Sequence, residues 1–257
     1  MALFTRSLQR VAHRGGAYLA PENTLAAFRN ALTMPIDAIE LDVQMSRDGQ
    51  LIVFHDATVD RLTDGTGNLL DLDFAYLRSL NAAEHFKGGW PQREQIPTLS
   101  EVLQLARNRV LVYIEIKLSE RDGGYGRYPN IAEAVVREVR AAKMVDRVMI
   151  ISFDWVTLAR LRRLDPALLT GALVSSDFWK PEDDPHLEKL CKQVAAAGCN
   201  WINMDHELCT PEILTIAHQN SFKVGLWTVD ELTELRQWVQ AGVDSLTSDR
   251  PDLFAQV

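Results

Sequence analysis

Eight short apolar runs recur along the chain, near residues 11–13, 38–44, 110–117, 148–153, 170–174, 201–204, 223–229 and 244–248. Between most of them lie stretches with helical periodicity, at 24–32, 99–107, 131–142, 155–164, 186–197, 211–218 and 231–241. Short strands alternating with helices predict a parallel sheet, because neighbouring parallel strands need a crossover connection. Eight such units predict closure into a (β/α)8 TIM barrel of the α/β class, with an open doubly wound sheet as the alternative. The 257 residues suit one such barrel, which commonly takes roughly 200–250 residues, so the chain is expected to form a single domain, 1–257. Residues 46–97 break the rhythm. A strand-like run at 51–55 is followed there by a segment rich in Gly, Asp and Asn, as expected of an insertion after the second strand. Helix starts carry capping residues: Asn23 or Thr24 after Pro21, and Thr98 or Ser100 with Glu101 in the first turn.

Charge and cysteine usage narrow the function classes. Lys plus Arg number 27 against 35 Asp plus Glu, a net charge of −8. No excess of cations is available to neutralise a nucleic-acid backbone, so a nucleic-acid partner is not expected. A small anionic substrate stays compatible, since local charge can oppose the global balance. No run approaches the ~18 apolar residues of a membrane span, and Met1 to Arg10 has no apolar core, so neither a secretory leader nor stable membrane association is expected. Cys191, Cys199 and Cys209 are odd in number and lack Cys-x-x-Cys spacing, which points to reduced thiols in a cytoplasmic protein rather than a disulfide framework or zinc site. A monomer and a homodimer are both compatible with the sequence.

Two of the runs carry the chemistry. In Ile39-Glu40-Leu41-Asp42-Val43-Gln44 the apolar side chains occupy one face and Glu40, Asp42 and Gln44 the other. Residues 112–117 repeat the pattern, with Tyr113, Glu115 and Lys117 opposite an apolar face. Side chains alternate along a strand. In a barrel the apolar face meets the helices, so the charged face looks into the barrel mouth. Converging carboxylates need a cation, and an all-oxygen set suits Mg²⁺, Mn²⁺ or Ca²⁺ rather than zinc. A solvated edge strand and a simple Glu115–Lys117 pair is the structural alternative. His13-Arg14-Gly15-Gly16 closes the first strand, and Phe54-His55-Asp56 follows the run at 51–55. Three carboxylates with one divalent cation leave −1. Arg14 and Lys117 turn this to +1, and a singly charged phosphodiester brings it to zero. His13 and His55 then supply the base and the acid that diester cleavage requires.

His13-Arg14-Gly15-Gly16, Pro21-Glu22-Asn23-Thr24, Glu40-Leu41-Asp42, Asp48-Gly49, His55-Asp56, Glu115-Ile116-Lys117 and Trp227-Thr228-Val229 occur in this order, and together they resemble the glycerophosphodiester phosphodiesterase family from His13 to Arg250, most of all its cytoplasmic bacterial members. The resemblance implies a TIM barrel with an insertion after its second strand. It implies hydrolysis of small glycerophosphodiesters, such as glycerophosphocholine or glycerophosphoethanolamine, to sn-glycerol 3-phosphate and an alcohol. It also implies Glu40, Asp42 and Glu115 as ligands of one divalent cation, Mg²⁺ or Ca²⁺, His13 and His55 as acid and base, and Arg14 and Lys117 as phosphate contacts. Trp227 would stack on the carbon face of glycerol or line the barrel. Asp230 stands where the family more often has Asn, and Ser46 where Thr is common. The loop at 119–128 is expected to be solvated and to border the alcohol at most.

Other motifs are excluded. Asp64-Gly65-Thr66-Gly67 lacks the Gly-Lys-Ser/Thr of a phosphate loop, and no Gly-x-Ser-x-Gly elbow occurs. His85, His186 and His218 sit in polar or helical contexts where exposure is expected. Asp205-His206 ends a strand and has only a weak claim on the mouth. Two rival functions are a Schiff-base lyase with Lys117 as nucleophile, which carboxylates beside that lysine disfavour, and a non-catalytic phosphodiester-binding protein.

Overall fold

The computed structural model describes residues 8–181 and 187–257. Its frame is a closed barrel of eight parallel strands: β1 (Gln9–Ala12), β2 (Ala38–Met45), β4 (Leu111–Ile116), β7 (Val148–Ser152), β8 (Leu169–Val174), β9 (Trp201–Asp205), β10 (Lys223–Trp227) and β11 (Ser245–Ser248). Each strand pairs in parallel with its barrel neighbours, and pairing of β1 with both β11 and β2 closes the circle. The open-sheet alternative is thereby eliminated. The helices α1 (Leu25–Ala31), α3 (Leu99–Ala106), α4 (Ile131–Ala141), α5 (Trp155–Leu164), α6 (Leu187–Ala196), α7 (Pro211–Gln219) and α8 (Leu232–Ala241) connect them. The expected helix at 186–197 is thus present from Leu187 on; His186 lies outside the described residues.

Each wall has two apolar surfaces. Ile39, Leu41 and Val43 of β2 and Val112, Ile114 and Ile116 of β4 face outward into the large core shared with the helices. Val11, Ala38, Leu111, Tyr113, Met149, Ile151, Leu173 and Trp201 fill the barrel interior. Inward positions therefore change from apolar at the base to charged at the C-terminal end of the strands, where barrel enzymes carry their sites. Local signals set the helix starts. Thr24 accepts a hydrogen bond from Ala27 N, and Thr98 forms a full capping box with Glu101.

Residues 46–97 hold β3 (Leu51–Val53), antiparallel to β2, and the short helix α2 (Phe74–Ser79). They build a small core of their own around Ile52, Phe54, Val59, Leu69, Leu77 and Ile96. The segment at 119–128 is exposed over 121–127, as expected, but it is paired rather than a plain loop. Ser119–Arg121 (β5) and Gly124–Gly126 (β6) form an antiparallel hairpin. Asp122 and Gly123 turn it, with φ of 52° and 75°, as the Asp-Gly pair favours.

Candidate active site

Strand register brings the carboxylates together. Asp42 stands beside Glu115 and Glu40 beside Tyr113 in the β2–β4 pair. The Ala12–Ile39 pairing sets the end of β1 beside Glu40. Glu40, Asp42 and Glu115 each offer an oxygen within 4.8 Å of the others. All three are buried. Burial and the adjacent Asp42 charge push the Glu40 carboxyl well above its ordinary range. Burial also opposes ionisation of Asp42, but the Arg14 and Lys117 cations outweigh it and hold the carboxyl far below the ordinary value.

Asp42 is the most enclosed. Asn23 Nδ2 donates to Asp42 Oδ2 at 2.8 Å, and Asp42 N donates to Asn23 Oδ1 at 3.3 Å. Arg14 Nε lies 3.2 Å from Oδ2. The other oxygen, Oδ1, is buried and accepts no hydrogen bond; Lys117 Nζ is 3.6 Å from it. A buried carboxylate oxygen without a donor is costly. One aimed into a cluster of three carboxylates fits a hard cation. Glu115 Oε1 is ion-paired with Lys117 Nζ at 2.8 Å. Burial works against the lysine's charge, but Glu115 and Asp42 dominate and raise its pKa. An ammonium held in this way is not a Schiff-base nucleophile.

Each histidine is oriented by a carboxylate. His13 begins a short 3-10 turn, His13–Gly15. Its Nδ1 donates to Asp249 Oδ1 at 2.7 Å, and Nε2 lies 3.9 Å from Glu40 Oε2. Asp249 is itself held by Asp230, whose Oδ1 accepts from Asp249 N at 2.7 Å and from Ser248 Oγ at 3.0 Å. This gives Asp230, whose role the sequence left open, a place in the site. Burial disfavours the His13 imidazolium, yet the Asp249 hydrogen bond and the Glu40 charge prevail and raise its pKa. On the other side His55 Nδ1 donates to Asp56 Oδ1 at 2.7 Å. Gln44 Nε2 meets the carbonyls of Phe54, His55 and Asp56 at 2.9, 2.9 and 2.8 Å, and its Oε1 accepts from Tyr128 Oη at 2.9 Å. Gln44 thus pins the backbone that carries His55.

These groups line a cavity of about 170 Å³ in the barrel mouth, shared by His13, Arg14, Glu40, His55, Glu115, Lys117 and Trp227. Trp227 donates through Nε1 to Asn203 O at 3.0 Å and meets Phe153 edge to face, 5.8 Å between centroids. A larger cavity of about 600 Å³ adjoins it through His55, Glu115, Lys117 and Phe153. Tyr125 of the hairpin, Phe178, Glu120 and Asp177 also line it. Phe153 and Phe178 stack with centroids 5.3 Å apart. The other sequence candidates stay outside: His85 and His218 are exposed, and Asp205 caps a turn by accepting from Glu207 N. Sequence reasoning missed Asp249, Gln44 and Asn23 as parts of the site. The Pro21-Glu22-Asn23-Thr24 run held a signal for Asn23; Asp249 lies 236 residues from His13, beyond any local pattern.

The model of the Glycerophosphoryl diester phosphodiesterase family matches residues 13–253. The chain belongs to that family. It is 34% identical over 247 residues to the glycerophosphodiester phosphodiesterase of Caldanaerobacter subterraneus subsp. tengcongensis, covering 94% of each chain. Mouse glycerophosphodiester phosphodiesterase 1 is 35% identical over 249 residues, covering 87% of this chain and 72% of the mouse protein. The crystal structure of glycerophosphodiester phosphodiesterase from Agrobacterium tumefaciens, 30% identical, superposes with a TM-score of 0.79 over 97% of this chain and all of that one. The chain is therefore a phosphoric diester hydrolase of the TIM-barrel type, acting on glycerophosphodiesters. No helix among the described residues is long and apolar enough to cross a membrane.

Proposed function

We propose that the enzyme hydrolyses glycerophosphodiesters such as glycerophosphocholine and glycerophosphoethanolamine to sn-glycerol 3-phosphate and an alcohol, with one bound divalent cation and two histidines. The observation that carries this reading is that both imidazoles, Arg14, Lys117 and two of the three clustered carboxylates line one 170 Å³ cavity, with the third, Asp42, beside Glu115. Glu40, Asp42 and Glu115 would hold Mg²⁺ or Ca²⁺, and the bound ion would supply Lewis-acid polarisation of a phosphoryl oxygen. Arg14 and Lys117 bind the remaining phosphoryl charge. Each histidine donates Nδ1–H to a carboxylate, so Nε2 is the nitrogen that exchanges protons with the attacking and leaving oxygens. Trp227 covers the carbon face of the glycerol.

The alcohol extends into the larger cavity. Its aromatic wall and the carboxylates of Glu120 and Asp177 suit a cationic head group such as choline or ethanolamine. The whole chain, 1–257, acts as one catalytic domain, with 46–97 inserted after the second barrel strand. The free thiols of Cys191, Cys199 and Cys209 support a reducing compartment, the cytoplasm. Incubation with glycerophosphocholine tests the reaction. Expected products are glycerol 3-phosphate and choline, with turnover lost in EDTA and restored by Mg²⁺ or Ca²⁺. Phosphocholine as product, or full turnover in EDTA, overturns the proposal.

A further inference from the structure

We propose that Arg61, an exposed side chain of the 46–97 segment, is a positioning residue that couples His55 to Arg14 across the mouth. Its guanidinium bridges two carboxylates. Nε donates to Asp56 Oδ2 at 2.5 Å and Nη2 to Asp56 Oδ1 at 2.9 Å. Nη2 also donates to Glu22 Oε1 at 2.8 Å, and Nη1 to Glu22 Oε2 at 3.2 Å. Each carboxylate holds one group of the site: Asp56 Oδ1 accepts from His55 Nδ1 at 2.7 Å, and Glu22 Oε1 accepts from Arg14 Nη1 at 2.9 Å. A continuous chain, Arg14–Glu22–Arg61–Asp56–His55, thus runs from the turn after β1 to the segment after β3.

Two features separate this from an ordinary surface ion pair. The Arg61 side chain is half exposed, while those of Glu22 and Asp56 are 12% and 22% exposed. An exposed guanidinium adds little to stability, so the cost of ordering it is not explained by folding. Both carboxylates also have an inner partner that lines the catalytic cavity. Without Arg61, Asp56 is free to turn from His55, and Glu22 is left with Arg14 as its sole cation in this chain of contacts, drawing that guanidinium from the phosphoryl group. Misplacement of a reacting group by about 1 Å can cost 10²-fold in rate. Lysine cannot replace this arginine, because one ammonium does not span four oxygens in a fixed plane.

The proposal rests on His55 acting in proton transfer, and the test keeps the two apart. The full chain with saturating Mg²⁺ or Ca²⁺ is assayed on glycerophosphocholine as Arg61→Ala, Arg61→Lys, Asp56→Asn, Arg61→Ala/Asp56→Asn and His55→Ala. Arg61→Ala is expected to lower kcat about 10-fold or more and to raise KM, with Tm within about 3 °C of the parent. Arg61→Lys restores less than half of the loss. The double variant is expected to lose less kcat than the product of the two single losses, since one of the two arms of Arg61 acts on His55 through Asp56. Parent-like kcat in Arg61→Ala, or kcat losses that multiply in the double variant, overturns the positioning role. Parent-like turnover in His55→Ala overturns the underlying reading instead. Should Arg61→Ala fail to fold, full activity in folded Arg61→Lys also overturns the role.

Discussion

Asp249 and Asp56 do for His13 and His55 what neither ring does for itself: each accepts from Nδ1 at 2.7 Å and so fixes the ring's tautomer and orientation. Replacement of His13 or His55 by alanine is expected to slow cleavage about 10²-fold or more, the usual scale for a lost acid or base, with an unchanged denaturation midpoint. Steady-state kinetics beside a urea titration checks both. The gathering of His13, Arg14, His55, Glu40, Asp42, Glu115 and Lys117 at one mouth was legible in the sequence, since they stand at strand ends or on polar strand faces. Their supports were not. Asp249 meets His13 only because β11 pairs with β1, and Gln44 reads from sequence as one more polar residue of a strand. Burial of the carboxylates was also hidden, because a polar strand face looks the same whether it meets water or its neighbours.

At the scale of elements, the first βα turn carries the tightest constraint. Gly15 has φ of +83°, and a Cβ there would lie 2.8 Å from Ala27 Cβ and 2.9 Å from the Ala27 carbonyl carbon. The clash is with the backbone of α1, which cannot move without carrying Thr24 and Asn23 with it. Gly15→Ala is expected to cost about 1–3 kcal/mol and to lower activity further by displacing His13 and Arg14. Urea denaturation read with the assay measures both, and a parent-like midpoint would contradict the packing. The strand pattern of β2 and β4 was readable because their outward faces are uniformly apolar, and the Thr98 cap because its partner is three residues away. The β5–β6 hairpin was missed. Six residues of strand, four of them glycine or charged, leave no apolar alternation to read, so only the Asp-Gly turn signalled it.

For the whole molecule, a cation held by the cluster of Glu40, Asp42 and Glu115 would be read in the stability of the fold. Any ion that binds the folded chain alone stabilises it, by about 2.7 kcal/mol at 100-fold above Kd. For a chain of this size that raises Tm by roughly 5–10 °C. Millimolar Mg²⁺ or Ca²⁺ is expected to give such a rise over EDTA. Glu115→Gln is expected to abolish both the rise and the metal-dependent activity while leaving the fold intact. An undiminished rise or undiminished turnover in that variant refutes the assignment. The sequence by itself determined the barrel and the chemical types of its mouth, because periods of 2 and 3.6 and the placing of charge at strand ends are local properties of the chain. Only the tertiary structure decided which of those charges face each other, what holds the two imidazoles, and how Arg61 of the 46–97 segment reaches the loop after β1. Among those contacts His13–Asp249 joins residues 236 positions apart, Glu22–Arg61 39 and Arg14–Glu40 26. They exist only once barrel closure and strand register have brought distant segments to one end of the sheet.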